Sequence, residues 1–156
     1  MINIMFVCHG NICRSPMAEF IMKDMVAKQG MADMFYIASS ATSTEEIWRG
    51  VGNPVYPPAQ RELAKHGISC EGKCAVQITS EDYDKYDIIL CMDSNNMRNI
   101  KRIIPNDPEN KICKLMDLVG GGDVADPWYT GDFSTTYKDI FAGCSGLLKY
   151  LLEENK

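Results

Sequence analysis

Hydrophobic positions along this chain alternate between two rhythms. Residues 2–7 form a short, nearly continuous apolar run, the pattern of a strand buried on both faces. The run ends in Cys8-His9-Gly10-Asn11-Ile12-Cys13-Arg14-Ser15-Pro16, after which Met17, Phe20, Ile21 and Met25 recur near helical spacing. A helix is predicted over 17–29: Ser15 suits the N-cap, Pro16 the first position, Glu19 the positive end and Gly30 the stop. Residues 35–41 read as a second strand, and 42–57 as a loop punctuated by Gly50, Gly52, Pro54 and Pro57. A short helix follows over 58–65, closed by Gly67. A third strand is predicted over 86–91, a helix over 94–104 stopped by Pro105, and a short strand over 112–115. Residues 117–133 form a Gly- and Asp-rich loop. The last helix, 134–154, has an apolar face of Tyr137, Ile140, Phe141, Cys144, Leu147, Leu148 and Leu151.

Strands alternating with helices predict an α/β fold: one domain over 1–156, with a four-stranded parallel sheet and helices on both faces. Ligands of such sheets bind beyond the carboxyl ends of the strands, where Cys8 lies.

The chain has 156 residues, 46% hydrophobic and 24% charged, with a net charge of -5. That balance argues against nucleic acid as a partner but leaves room for an anion held by local backbone groups. No apolar stretch approaches a membrane span, and the first residues lack a basic leader, so a cytoplasmic protein without membrane attachment is expected. Seven cysteines without a regular framework fit a reduced compartment, with Cys91, Cys113 and Cys144 as buried apolar thiols. Cys70 and Cys74 have ligand-like separation, but neither histidine is near them in sequence, and no metal site is expected.

Cys8 and Arg14 are separated by five residues, which alone is weak evidence. Their place between a strand and a helix sharpens it. A tight loop there can turn N–H groups inward and make an anion nest, with the helix end adding positive potential. Gly10 would permit a backbone conformation or a close approach that a side chain hinders, and Arg14 can grip two phosphate oxygens. A thiol in such a field favours its thiolate, which is the nucleophile; Ser15 could donate to it. A leaving oxygen also needs a proton. The candidate donor is Asp126, stiffened by Pro127 and followed by Trp128 and Tyr129, which could wall an aromatic slot. Composition alone leaves Asp123 and Asp132 as rivals.

The segment Cys8 to Pro16 resembles the signature of the low-molecular-weight protein tyrosine phosphatases, and Asp126-Pro127-Trp128-Tyr129 resembles their acid loop. His66-Gly67-Ile68 and Ile89-Leu90-Cys91-Met92-Asp93 are also similar to family segments, and the similarity spans nearly the whole chain. The resemblance implies that Cys8 is the nucleophile, Arg14 the phosphate clamp and Asp126 the acid and then the base, with no cofactor. It implies substrate contacts from His9, Gly10, Asn11, Ile12, Cys13, Ser15, Trp48, Trp128 and Tyr129. It also implies a supporting network of Asn11, Ser15, Ser39 and His66, with Asp93 behind His66. Cys13 matches a position that can trap oxidised Cys8 as a disulfide. Expected substrates are phosphotyrosine proteins or small phosphate esters, acted on by a monomer. Ile12 leans away from phosphoarginine, for which relatives carry a threonine or small residue.

Three rivals remain. An arsenate reductase of the same fold would need a cysteine relay through Cys91, but the second cysteine of that relay falls on Arg98. Cys70 and Cys74 are conceivable substitutes. An inactive phosphate-binding module would not need Cys8, Arg14 and Asp126 together. A cysteine-phosphorylated carrier subunit of sugar transport needs neither the arginine nor the distant acid.

Overall fold

The computed structural model describes residues 1–154. Strand β1 (Ile2–Cys8) is flanked by β2 (Phe35–Ala41) on one side and on the other by a strand in the middle of the chain, Ile88–Cys91. Between them in sequence lies a small antiparallel hairpin, β3 (Ile47–Trp48) and β4 (Val51–Gly52), so Ile88–Cys91 is β5 and the edge strand Ile112–Lys114 is β6. The main sheet has the order β2-β1-β5-β6 and is parallel throughout, with Ile4 beside both Ile37 and Ile88, and Ile89 beside Ile112.

The apolar run at the start of the chain is explained by its central place. Ile4, Phe6 and Cys8 point into one core with Met17, Ile21, Leu63, Ile140 and Leu147, whereas Met5 and Val7 point into a second with Tyr83, Ile89 and Ile100. Period-two alternation thus feeds both faces of one strand. The first face is covered by α1 (Arg14–Lys28), α2 (Pro57–Ala64) and the long C-terminal helix Phe133–Glu154. The second is covered by α3 (Asp82–Lys85) and α4 (Ser94–Ile100), with the short α5 (Pro127–Thr130) preceding α6, the C-terminal helix.

Helix α6 also carries a notch. A Cβ at Gly143 would stand 2.6 Å from Leu115 Cγ, and one at Gly146 2.6 Å from Val119 Cγ1. The 3-10 turn Leu115–Val119 seats in the space these glycines leave. Thr136 Oγ1 on the same helix donates to the Ala125 carbonyl at 3.2 Å, so α6 holds both ends of the segment 115–125.

Several boundaries depart from the sequence expectation. Helix α1 begins at Arg14, and Ser15 does not cap it, because its hydroxyl turns to the Cys8 sulfur and the Ser40 carbonyl. The hairpin β3–β4, α3 and α5 lie in stretches read as loop or unassigned. Their elements are two to four residues long, below what periodicity can register. Helix α4 ends at Ile100 rather than 104. Cys91 and Cys144 are fully buried, and burial drives both thiols above their ordinary range. Cys113 is only partly buried, although burial still raises it to about 11. Among the described residues no helix is long and apolar enough to cross a membrane.

Candidate active site

Cys8 is the last residue of β1, and the chain turns over the sheet edge before Arg14 opens α1. The turn is held from outside through its carbonyls: Thr42 N donates to Cys8 O at 3.0 Å, Ser43 N to His9 O at 3.0 Å and Tyr56 N to Ile12 O at 2.8 Å. With the carbonyls engaged outward, the inner side is left to N–H groups. The amides of Asn11 and Ser15 approach the Cys8 sulfur at 3.3 and 3.4 Å, and the Ser15 hydroxyl lies 3.0 Å from it.

The residue of this loop at positive φ is Asn11, at φ 60°. Asparagine tolerates the left-handed region when its side chain is bonded locally. Here Nδ2 donates to Ser15 Oγ at 2.7 Å and Ser39 Oγ at 3.0 Å, while Oδ1 accepts from Val76 N at 3.1 Å. Gly10 serves the close approach, since a Cβ there would stand 3.2 Å from Glu46 Cγ.

Arg14 is 3% exposed. Its Nη1 donates to Asp93 Oδ2 at 2.7 Å and to the Val124 carbonyl at 2.9 Å, and Nη2 lies 3.5 Å from Asp126 Oδ2. Burial opposes its charge, but Cys8, Asp93 and Asp126 outweigh burial and raise its pKa further. Asp126 is the N-cap of α5: Oδ1 accepts from Trp128 N at 3.0 Å, leaving Oδ2 toward Arg14. Pro127 at the first helical position fixes this geometry. Neither Asp123, paired with Lys114 at 3.0 Å, nor Asp132, which caps the start of α6 through Thr135, lines this cavity.

Cys8, Arg14 and Asp126 share one cavity of about 430 Å³ with His9, Gly10, Ile12, Cys13, Trp128 and Tyr129. Trp128 leans on Tyr56, ring centroids 5.0 Å apart, and Tyr129 is 85% exposed at the mouth. Cys13 lies at the foot of α1, where burial first, then the Cys8 and Asp126 charges, raise it to about 12.

Four sequence expectations are corrected. Asn11 and Ser15 are fully buried beneath the loop and do not line the cavity. Trp48 also lies outside it: on β3 it is 72% exposed, with the Arg49 guanidinium 4.4 Å over its ring. His66 does not join the loop network. It follows α2 on the side facing α6, where its ring stacks on Tyr137 at 3.6 Å and Nε2 lies 3.2 Å from Glu62. Asp93 therefore stands behind Arg14 rather than behind His66.

The network continues instead into residues the sequence reading missed. Ser39 Oγ donates to Glu19 Oε1 at 2.6 Å, and Lys73 Nζ lies 3.4 Å from that oxygen while donating to Ser39 O at 2.8 Å. Glu45 and Glu46 also line the cavity, Glu45 paired with His9 at 2.9 Å and Glu46 bonded by Asn53 at 2.7 Å. No local pattern marks these four residues; a glutamate on a helix face that also carries Ser15, Met22 and Val26 was the one available signal for Glu19.

The parallel sheet thus gathers a thiol, a buried arginine and a carboxylate at its carboxyl edge, where open sheets of this class bind their ligands. The pattern of the low molecular weight phosphotyrosine protein phosphatases matches residues 3–156. The Bacillus subtilis low molecular weight protein-tyrosine-phosphatase YfkJ is 36% identical over 159 residues, covering 100% of this chain and 99% of that protein. The low molecular weight phosphotyrosine protein phosphatase of Rattus norvegicus is 38% identical, covering 94% of each. The crystal structure of YfkJ superposes with a TM-score of 0.92 over 100% of this chain and 98% of that one. A Streptococcus pyogenes low molecular weight protein tyrosine phosphatase gives 0.85 at 41% identity, over 97% and 93%. The chain belongs to the low molecular weight phosphotyrosine protein phosphatase family and is an enzyme of the protein-tyrosine-phosphatase class.

Proposed function

We propose that this protein hydrolyses phosphate monoesters, foremost phosphotyrosine in proteins, through a cysteinyl-phosphate intermediate on Cys8. The observation that carries the reading is the shared cavity: sulfur, guanidinium and carboxylate face one space of about 430 Å³, within the range of small-molecule sites. Asp93 and the Val124 carbonyl fix the plane of Arg14, so the guanidinium meets phosphate preoriented. The Cys8 thiolate attacks phosphorus while Asp126 gives its proton to the leaving oxygen. The resulting carboxylate then takes a proton from water, which attacks phosphorus and returns Cys8 as thiolate and phosphate as product. The Ser15 hydroxyl can donate to the sulfur at each stage where it carries charge. Ile12, Trp128 and Tyr129 offer flat and apolar walls to an aromatic leaving group.

No observation favours the reductase reading: Cys91 is wholly buried on β5, and its raised thiol is poorly placed to relay electrons. The test is single-turnover hydrolysis of an aryl phosphate in chelator, wild type against Cys8→Ser, with the phosphoenzyme trapped and mapped. Phosphate on Cys8, and no turnover in the variant, is expected. Turnover that survives in Cys8→Ser would overturn the mechanism.

A further inference from the structure

One edge of the main sheet is only half covered. Strand β2 lies outermost beside β1, and the N–H and C=O groups of its successive residues point alternately toward β1 and away from it. The outward set is fixed at the carboxyl end of the strand. Ala41 N donates to Val76 O at 2.7 Å, Ile78 N donates to Ala41 O at 2.9 Å, and Lys73 Nζ donates to Ser39 O at 2.8 Å. The inward set agrees, since Thr42 N donates to Cys8 O on β1. Counting back by twos, Ile37 and Phe35 also face outward. Phe35 N is taken by Ala32 O of the 3-10 turn Ala32–Met34. The Ile37 N–H, the Ile37 C=O and the Phe35 C=O have no partner among the described residues.

Edge groups of this kind are a template for another strand. Beside them runs a recess of about 480 Å³, walled by Lys23 and Val26 of α1, Ala32 and Lys73. The chain itself already lays one segment along this edge, where Gln77 bridges in parallel to Ala41. That segment stops short of Ile37, and the recess continues its line.

Charge says what the missing strand carries. Glu19 is the one acidic residue lining the recess, and it serves two amines, Lys23 at 2.6 Å and Lys73 at 3.4 Å. A positive charge is therefore left over, in a chain whose net charge is -5. Burial lowers the Lys73 pKa and the Glu19 charge works against that loss, so a second carboxylate would act in the same sense. Another copy of this chain offering the same edge would set lysines against lysines, which is unfavourable. A single extended segment bearing a carboxylate meets no such penalty. Its side chains would alternate between the helix side, with Lys23 and Val26, and the opposite face, where the Tyr36 ring is 54% exposed and leans on Tyr86 at 6.2 Å.

We propose that this recess binds an extended acidic segment of another protein, which adds to β2 as a fifth strand with its carboxylate toward Lys23 and Lys73. Main-chain bonds to Ile37 and Phe35 would supply the attachment, and the amines the selection. The recess shares no lining residue with the cavity that holds Cys8. The inference is independent of the phosphatase reading, which aryl phosphate turnover tests separately.

The experiment uses a labelled seven-residue peptide of alternating valine and threonine with a central glutamate, and its twin with a central lysine. Binding is read by fluorescence anisotropy, and amide exchange is read residue by residue. The glutamate peptide is expected to slow exchange at Ile37 N while leaving Tyr36 and Ala38, whose amides face β1, unchanged. The lysine peptide should bind about 5-fold more weakly, as one exposed ion pair allows. In Lys23→Glu, a change at a half-exposed position, that preference should reverse. Methylating single peptide amides tests strand addition without altering the protein: alternate positions should lose about tenfold or more, and the positions between them little. No slowing at Ile37 with millimolar peptide overturns the proposal. So does equal affinity for the two peptides, or indifference to methylation at every position. Protection of Ile37 that rises with protein concentration in the absence of peptide would mean that a second copy covers the edge, and would overturn it as well.

Discussion

Asp93 has two tasks, and two substitutions separate them. Its Oδ1 accepts from Asn96 N at 2.8 Å as the N-cap of α4, and its Oδ2 takes Arg14 Nη1 at 2.7 Å. Asparagine caps a helix about as well as aspartate, so Asp93→Asn removes the charge behind Arg14 and keeps the cap. Asp93→Ala removes both. A hydrogen bond to a charged group contributes about 1.5–3 kcal/mol. Arg14 keeps the Val124 carbonyl at 2.9 Å, so the lower half of that range applies. At about 1.4 kcal/mol per tenfold, kcat/KM of Asp93→Asn should fall roughly 10- to 40-fold, with the inhibition constant of inorganic phosphate rising in step. Asp93→Ala should lose a further ~0.5–2 kcal/mol of stability from the missing cap, lowering Tm by about 2–4 °C per kcal/mol in a chain of this size. Steady-state kinetics with an aryl phosphate and calorimetry on both variants check this. Equal kcat/KM in wild type and Asp93→Asn would mean that the carbonyl alone holds the guanidinium, and the reasoning would be refuted.

Two other perturbations bear on the same cavity. Asp126→Asn should lower turnover by ~10²–10⁴, with a smaller loss for esters whose leaving group scarcely needs a proton; an equal loss across a leaving-group series would count against the acid role. Peroxide should inactivate wild type reversibly, with sulfenic acid on Cys8 condensing with the Cys13 thiol to a disulfide and water, and Cys13→Ser should recover less activity on reduction. Because burial raises Cys13 to about 12, its reactive thiolate grows with pH, so disulfide closure should quicken from pH 7 to 9. Equal recovery by both proteins would remove the protective role.

The parts of this site written in contiguous sequence were legible, and the parts made by distant strands were not. The run from Ile2 through Pro16 announces strand, turn and helix because apolar pattern, breaker and helix-start chemistry follow one another without a gap. The sheet of four parallel strands follows from the same alternation. By contrast, Asp93 meets Arg14 across 79 positions, and Lys73 meets Glu19 only after the segment before residue 77 bridges to β2 at Ala41. Nothing local to either sequence encodes those encounters. His66 shows the opposite error. The family resemblance suggested a network member, yet its ring is claimed by Tyr137, and the cation on the network proves to be Lys73. Trp48 was placed at the slot by the resemblance, but the two-residue strands of its hairpin, with Arg49 and Gly50 at positive φ, carry it outward.

The notch in α6 makes the far helix a mechanical reference for chemistry. The segment that carries Val124 and Asp126 hangs from Gly143, Gly146 and Thr136 on one rod of 22 residues, about 33 Å long. Cys8 is anchored to the sheet, whereas the acid is anchored to this rod. The separation between the proposed nucleophile and the proposed proton donor is therefore the registry of a helix against a sheet. On the proposed mechanism, a substitution that tilts α6 would move Asp126 and the Val124 carbonyl that orients Arg14 together, so the back of the molecule bears on proton delivery and phosphate grip at once.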